Sequence, residues 1–509
     1  MATVGEPRAK KPSGKQFTKL DGWQVTMAGM LSMLLEMMGS ELTSKELASL
    51  ARVNRELNQL ATPYLYHTLR FHSSGKITSK DRLLLMLDIM SDSSFDKTKF
   101  TRTVMITGSW YQTYDAIDSD LGPQRVLSPA ARMLSALVAC CVAKMPYLKE
   151  FIWDLQVSIT ERLVSSVIGR PHLERLQLRL GTNCTPKPYF HPVLDFNRRI
   201  NVQSLNLVQI DNHAVLESFA DAPLFASSLK ELTLWADVDS ELSLQPLLSR
   251  WHEKRHQFQL SSLDFRGFAD LGYSPGSIWD CIASSTLHDL TLEIGPAFQV
   301  SNCNEFWSSA TDAGLRPSRL STNLMASGLI DFISSFSGLE VLSLMTCDPH
   351  RPVEPLGPLL NILQRQHSET LKVLGICTQE HEDYLVDAQI VAENILACHK
   401  LEELRFAPRQ LDATPILMAL AHLPRLRTLH VVGAMGLSQN HDYMQKVITS
   451  GLENGIGDNL LYVAFDEGPV YMISRKSPIS WLKIKNTVGY IEDSVLLHEK
   501  VFSWVSRGA

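Results

Sequence analysis

The sequence lacks the features that mark exported or membrane-spanning proteins. Its longest apolar run, residues 27–38, is interrupted by Glu36 and is too short to cross a bilayer. No positively charged start is followed by a signal-type apolar run, so no secretion signal is predicted. The eight cysteines form no C-x-x-C pair, and only Cys140 and Cys141 are adjacent, which is typical of reduced, buried thiols. We therefore expect a cytoplasmic or nuclear protein that has no membrane partner.

A basic excess and short catalytic motifs are also missing. The chain has 48 Lys and Arg against 54 Asp and Glu, a formal net charge of −6, so we predict no nucleic-acid partner. The glycine-rich residues 451–457 follow no predicted strand and contain no lysine, unlike a phosphate-binding loop. No H-E-x-x-H pair, paired-cysteine metal spacing or nucleophile elbow occurs. These absences predict a non-catalytic protein with no metal and no cofactor; an enzyme with a polar pocket on its sheet is the alternative.

What the sequence has instead is a recurring phrase, Leu-x-x-Leu-x-Leu or a close variant. Its copies begin at positions 148, 173, 202, 229, 260, 287, 339, 371, 401, 426, 460 and 479. Most steps between copies are 25 to 34 residues, and one step of 52 residues is close to two ordinary steps. A further copy, too degenerate to recognise, is therefore predicted within residues 315–324. This phrase and period are those of leucine-rich repeats, in which each unit supplies one strand and one helix.

The pattern within each repeat predicts how the units assemble. The three leucine-type residues point into a core, the residues between them face outward, and an amphipathic segment such as residues 159–168 follows the strand. Such a unit cannot bury its apolar face alone, so neighbouring units stack. We predict an α/β fold, a leucine-rich-repeat solenoid over residues 100–489 shaped as a horseshoe, with a parallel concave sheet and helices outside. A generic α/β protein with leucine-rich strands is the alternative.

The sequence pattern changes at both ends of the repeats. Residues 100–106 alternate like a strand and predict a worn first repeat, and residues 466–468 predict a hairpin turn. The amphipathic residues 490–509 predict a C-terminal capping helix that closes the open end of the core. Before the repeats we predict a disordered basic tail (1–22), a helical module (23–73) and a linker (74–99).

The helical module contains no strand phrase and predicts three short helices. The first covers about residues 27–38. The second begins at residue 43 or 44, where Ser44 can cap the free amides and Glu46 lies in the first turn. The third ends near Thr62, because Pro63 disfavours helical backbone in the residue before it.

This module resembles an F-box, the adaptor-binding module of F-box proteins. The resemblance is carried by L-L-E-M-M at 34–38, L-A-S-L-A-R-V-N-R at 47–55 and L-A-T-P-Y-L-Y-H-T-L at 60–69, and is closest to a fungal-type variant that precedes degenerate leucine-rich repeats. The Leu-Pro pair that usually opens the first helix is absent. The resemblance implies a Skp-family adaptor as partner and these adaptor-binding residues: Leu31, Leu34, Leu35, Met38, Leu47, Leu50 and Val53. A helical cap that shields the first repeat is the alternative.

The outward strand positions of the repeats predict a target-binding surface. Their residue types differ from repeat to repeat, as expected for a surface that recognises a specific partner. The predicted target-binding residues on the concave face are Arg179, Trp235, Arg266, Arg405 and His430. Trp235 with the nearby arginines would suit an acidic or phosphorylated peptide, since Trp and Arg dominate binding hot spots. Alternatively, Trp235 packs under a loop of the next repeat.

Together the module and the repeats imply a function. The resemblance implies the substrate-recognition subunit of an SCF-type E3 ubiquitin ligase, whose F-box binds a Skp-family adaptor and, through it, a cullin. The repeats would then hold an unknown target protein for ubiquitin-dependent degradation, with no chemistry performed by this chain. The alternative is a leucine-rich-repeat scaffold or inhibitor outside any ligase, with residues 27–72 as a cap.

Overall fold

The computed structural model places most of the repeat region and the second half of the helical module. The residues that it describes are 42–76, 82–111, 129–157, 159–180, 202–220, 228–237, 241–272, 278–295, 298–345, 356–376, 384–409, 413–432, 441–465, 469–475, 479–483 and 494–496. The predicted basic tail and the predicted first helix at 27–38 lie outside these residues. The chain divides into two compact units, Met1–Leu69 and Arg70–Ala509.

The first helix described in the first unit is α1, Ser44–Ala51. A capping box fixes its start: the Thr43 side chain accepts from the Glu46 amide, and the Glu46 carboxylate accepts from the Thr43 amide at 2.8 Å. The hydrogen bonds that Thr43 donates lower the pKa of Glu46. The prediction that Ser44 is the cap was therefore wrong by one residue; Glu46 fits the box only with Thr43, three residues before it.

Helix α2, Arg55–Leu65, packs on α1 and continues two residues beyond Pro63. It therefore ends slightly later than the predicted end near Thr62 and Pro63. A proline inside a helix costs about 3 kcal/mol. Here burial of Leu57 and Ala61 outweighs that cost, and the helix closes with the Tyr66 amide bonded to the Thr62 carbonyl at 3.1 Å.

The second unit is built from strands and helices that alternate along the chain. Its seventeen described strands belong to one sheet. They are β1 (Thr68–Lys76, mostly in this unit), β2 (Thr103–Tyr111), β3 (Glu150–Gln156), β4 (Arg175–Arg179), β5 (Ser204–Ile210), β6 (Glu231–Ala236), β7 (Ser262–Phe268), β8 (Asp289–Ile294), β9 (Arg319–Thr322), β10 (Val341–Leu344), β11 (Val373–Ile376), β12 (Leu385–Val386), β13 (Glu403–Pro408), β14 (Thr428–Val431), β15 (Tyr462–Phe465), β16 (Val470–Ser474) and β17 (Ser480–Lys483). The described helices are α3 (Arg82–Ser91), α4 (Pro129–Ala143), α5 (Glu161–Ile168), α6 (His213–Ala220), α7 (Gln245–Glu253), α8 (Ile278–Cys281), α9 (Val300–Asp312), α10 (Ser327–Ser334), α11 (Leu356–Ile362), α12 (Ala388–Ile390), α13 (Thr414–His422) and α14 (His441–Glu453).

Parallel pairing follows chain order from β2 to β15, except that β11 pairs directly with β13 and the short β12 joins β13 at its end. The middle leucines of the phrase are register partners, as in Leu176, Leu205 and Leu232, and they are almost fully buried. The predicted α/β class and parallel sheet are confirmed, and this order of strands is compatible with a solenoid.

The repeat that the sequence conceals is also present. Strand β9 pairs in parallel with β8 and β10, which confirms the copy predicted within residues 315–324. Its register places Thr322 where other repeats have the third leucine. The Asn323 side chain donates to the Ile294 carbonyl at 2.8 Å and accepts from the Ile294 amide at 2.9 Å. A side-chain amide thus replaces part of the strand ladder at this repeat.

Two segments before β3 belong to the repeat unit. Strand β2 pairs in parallel with β3, which confirms the worn first repeat predicted at residues 100–106. The predicted linker at 74–99 contains α3, whose Leu84 and Leu87 are buried. Lys144 at the end of α4 donates to the Met90 carbonyl at 2.8 Å. This part of the segment is therefore packed helix, a departure from an open linker.

The last strands reverse direction. Strand β16 pairs antiparallel with β15, which confirms the predicted hairpin, although its turn lies outside the described residues. Strand β17 pairs antiparallel with β16, so the prediction that residues 479–484 are another repeat was wrong. The alternation of a repeat strand is the same as that of a hairpin strand; Trp481, stacked on Phe465 with centroids 6.0 Å apart, belongs to this hairpin.

The described residues of the C-terminal segment, 494–496, do not cover the end of the core. Residues 494–496 pack against Val341 on β10 and Val373 on β11, far in sequence from the final hairpin. The prediction that this segment closes the open end is therefore wrong for these residues. Their amphipathic pattern predicts that one face contacts apolar residues, but it does not predict which part of the sheet those residues belong to.

A buried histidine joins two repeats behind the sheet. His367, which is fully buried, accepts at Nδ1 from the Leu339 amide at 3.1 Å and donates from Nε2 to the Ile333 carbonyl at 3.2 Å. Both bonds require the neutral ring with its proton on Nε2. Burial lowers the pKa of His367 below its ordinary value near 6.5, and the bond to Ile333 offsets part of that effect.

We predict that His367→Leu destabilises the protein more at pH 7.5 than at pH 5.5. Because the folded-state pKa is below the unfolded value, the stabilisation by neutral His367 is complete above about pH 6.5 and is lost as the pH falls towards the folded-state pKa. The cost at pH 7.5 should be about 1–3 kcal/mol, since the Leu339 amide loses its buried acceptor. Urea unfolding followed by tryptophan fluorescence measures both values; an equal or larger cost at pH 5.5 contradicts the neutral assignment.

Candidate functional site

The sheet face opposite the leucine core carries the candidate site, and we call it the variable face. On β4, for example, Leu176 and Leu178 are buried in the core. On the other face of the same strand, Arg175 is exposed and Gln177 is half-buried. All the predicted target-binding residues lie at strand positions of this face: Arg179, Trp235, Arg266, Arg405 and His430. The structure places Trp235 beside Arg266 and Arg405 beside His430, whereas Arg179, on β4, lies apart from the other four.

Arg179 is held by its neighbours on both sides. Its Nε donates to Asp154 Oδ1 at 2.6 Å and its Nη1 donates to Gln209 Oε1 at 3.0 Å, so three adjacent strands are tied together. Gln209 has φ of 56° at a register irregularity in β5. A side chain in this left-handed region costs about 1–3 kcal/mol. The sheet therefore maintains local strain where Gln209 meets Arg179.

Trp235 and Arg266 form a second cluster, as neighbouring strands put them in register. The Arg266 guanidinium lies 4.7 Å from the Trp235 ring centroid, which is a cation–π contact. The same guanidinium donates to both oxygens of Asp264, at 2.8 and 3.0 Å. Trp235 is only 7% exposed, so its ring is mostly covered and is not an open platform.

Arg405 and His430 form the third cluster, again as register partners. Both are buried, at 6% and 5% exposure. The Arg405 Nη2 atom donates to Ser343 Oγ at 2.8 Å, passing over Gly375 on the strand between them. The variable face from β10 to β14 is therefore closed to solvent at these positions, whereas on β4 and β7 several positions are half-buried or exposed.

Salt bridges between arginines and carboxylates are a common feature of the variable face. Four arginines have carboxylate partners within 3.5 Å, and these pairs are Glu150–Arg175, Asp154–Arg179, Asp264–Arg266 and Asp289–Arg319. An acidic or phosphorylated peptide would have to compete with Asp154 and Asp264 for the predicted arginines. The four pairs add hydrogen-bonding groups to this face without adding net charge.

The predicted adaptor-binding residues divide by exposure. Leu47 is 4% exposed and belongs to the core between α1 and α2, Leu50 is half-buried, and Val53 is 67% exposed. Leu31, Leu34, Leu35 and Met38 lie outside the described residues. Among the described members of the set, Val53 is thus the side chain that is fully available to a partner.

Two residues of the variable face have roles that the sequence analysis did not assign. Glu403 on β13 is 6% exposed and accepts three hydrogen bonds from residues 494–496. Gly375 on β11 is the outward position over which Arg405 passes. A glycine at an outward position of a valine- and leucine-rich strand is the available sequence signal, because strands disfavour glycine unless another chain approaches closely.

The described residues offer little for catalysis. They contain no group of three or more His, Cys, Asp or Glu that could hold a metal ion. Burial raises the pKa of Cys141 to about 12 and that of Cys281 and Cys398 to about 11, so these thiols stay protonated and are poor nucleophiles.

Gly267 gives a direct test of the β-bulge that follows Arg266 on β7. It has φ of 72° at the register shift after Arg266, and a Cβ there would lie 2.7 Å from the Ala236 carbonyl oxygen. We expect Gly267→Ala to lower the free energy of unfolding by about 1–3 kcal/mol. The matched control is Gly357→Ala in α11, where a Cβ meets nothing within 4 Å and helix propensity improves. Thermal unfolding compares the two; equal melting temperatures would contradict the bulge.

Comparison with known proteins finds no match to this chain. No protein-family model matches the chain, and no curated protein matches it. Within the described ranges, no helix has both the length and the apolar character needed to cross a membrane.

Proposed function

We propose that this protein is the substrate-recognition subunit of an SCF-type ubiquitin ligase. The observation that carries the proposal is the division of the chain: a small helical unit with F-box-like sequence is followed by a separate unit of repeated strands with a variable face. In this proposal the first unit is an F-box that binds a Skp-family adaptor, and the second is a leucine-rich-repeat solenoid that binds a target.

The size of the variable face supports a protein target. The half-buried and exposed positions extend from β2 to β9, and adjacent strands are about 4.8 Å apart, so this surface is roughly 34 Å wide. Such a width suits a folded surface or an extended segment of another protein. The chain would act by holding target lysines near ubiquitin carried on another subunit, which is catalysis by proximity.

The arrangement of side chains on this face supports a partner recognised by shape. Some paired side chains stay partly exposed, as Arg266 and Asp264 do at 15% and 16% of their side chains. Each can offer its remaining hydrogen-bonding atoms without leaving an isolated charge behind. A target that displaces neither partner avoids the desolvation cost of breaking such a pair.

We expect Val53→Asp to weaken capture of a purified Skp-family adaptor by about tenfold or more, since a charge would replace an exposed apolar contact. Leu47→Asp is unsuitable because Leu47 lies in the core and its replacement would unfold the unit. The measurement is surface plasmon resonance of the full chain over immobilised adaptor.

Leu482→Asp provides the matched control, since Leu482 is also an exposed aliphatic residue, at 48%, but lies on β17. It should bind the adaptor as the natural chain does. Circular dichroism first verifies that the natural chain is folded. If the folded natural chain does not bind the adaptor, the ligase proposal fails and the chain is better described as a repeat scaffold. If Val53→Asp and Leu482→Asp bind equally well, the adaptor surface does not include Val53.

A further inference from the structure

Residues 494–496 occupy the variable face at β10, β11 and β13. Leu496 is fully buried and packs against Val341 and Val373, which are register partners on neighbouring strands. Val495 lies half-buried against the same cluster. A leucine from the C-terminal segment thus fills the position where, on this face, a binding partner would insert an apolar side chain.

Glu403 supplies the polar half of this contact. Its carboxylate accepts from Ser494 Oγ at 2.9 Å, from the Val495 amide at 3.0 Å and from the Leu496 amide at 3.0 Å. Burying a carboxylate is unfavourable unless hydrogen bonds replace its water. Glu403 is 6% exposed, so these three donors compensate for that desolvation. Its position beside Val373 in the sheet register therefore suits a segment that offers three donors in succession.

Gly375 provides the space. A Cβ at this position would lie 2.9 Å from Leu496 Cδ2 and 3.0 Å from Arg405 Nη2. The missing side chain lets Leu496 approach the sheet while Arg405 extends beneath it to Ser343. The apolar surface of Val341 and Val373, the Glu403 carboxylate and the gap at Gly375 together form a site for a short peptide on three neighbouring strands.

We propose that this site on β10, β11 and β13 binds target segments with a hydroxyl residue followed by two aliphatic residues, and that residues 494–496 occupy it in cis until a target displaces them. This inference rests on the proposed function, because it names the kind of target segment that the repeats accept. The hydroxyl and two amides match Glu403, and the second aliphatic residue matches the gap at Gly375.

Tethering makes the C-terminal segment a strong competitor. A segment attached to the same chain has an effective concentration on the order of millimolar, so a weak contact suffices to keep the site filled. A target in trans binds only when its affinity or local concentration exceeds that of the tethered segment. The site therefore sets an affinity threshold for targets, and removal of the tethered leucine should lower that threshold.

The first experiment removes the competitor from the full chain. A fluorescein-labelled peptide of residues 490–500 is titrated with the natural chain, with Leu496→Asp and with Leu496→Asp combined with Gly375→Val. We expect Leu496→Asp to bind the peptide about tenfold or more tightly than the natural chain. Gly375→Val should abolish that gain, because its side chain fills the gap. Equal binding by the natural chain and a folded Leu496→Asp variant overturns the proposal.

The second experiment uses the natural chain alone, and so does not depend on how the variants fold. Millimolar unlabelled peptide should speed hydrogen exchange of the Val495 and Leu496 amides about twofold or more, since displacement exposes both donors. A control peptide with proline in place of Val495 lacks one donor and should have no effect. Unchanged exchange with both peptides overturns displacement.

The two experiments separate this inference from the ligase proposal, because neither peptide measurement involves the adaptor. Peptide binding without adaptor capture retains the site and rejects the ligase proposal. Adaptor capture without any peptide effect rejects the site and retains the ligase proposal.

Discussion

Parallel pairing of each strand with the next repeat is the interaction on which the rest of the second unit depends. A strand buried on one face by leucines still has backbone donors and acceptors on both edges, and these must be satisfied by neighbouring strands. Chain-order pairing satisfies them and at the same time aligns the middle leucines, as Leu232 with Leu263. The variable face follows from that alignment, because the residues between the leucines are then set in rows across the sheet.

Much of this fold could be predicted from the sequence because the leucine phrase is local and is repeated. Even the hidden repeat at β9 could be located, since the spacing of its neighbours left room for one copy. The assignment of residues 479–484 failed for a related reason: Leu482 and Trp481 alternate as a repeat strand does, and alternation does not specify whether a partner strand is parallel or antiparallel. The N-cap of α1 was misassigned for a similar reason, because Ser44 and Thr43 are both suitable capping residues. A capping box needs a glutamate three residues after the cap, and Glu46 meets that condition for Thr43.

The candidate site was less predictable because its contacts join residues that are far apart in sequence. The outward positions of Arg179, Trp235 and Arg405 could be predicted from period two, but their carboxylate, guanidinium and hydroxyl partners depend on strand register. The bonds from residues 494–496 to Glu403 span more than ninety residues, and no pattern in either segment indicates the other. Continuation of α2 past Pro63 similarly reflects burial against α1, a tertiary contact that outweighs the local preference of proline.

If the variable face binds a protein as proposed, its charge pairs also influence how quickly that protein associates. Long-range attraction requires a field of one sign, and adjacent opposite charges such as Asp154 and Arg179 cancel beyond a few ångströms. These pairs would therefore contribute little to electrostatic steering of a partner, and replacing both members of one pair by uncharged residues would change the association rate little. Discrimination among partners would consequently arise after the encounter, in how long each complex lasts.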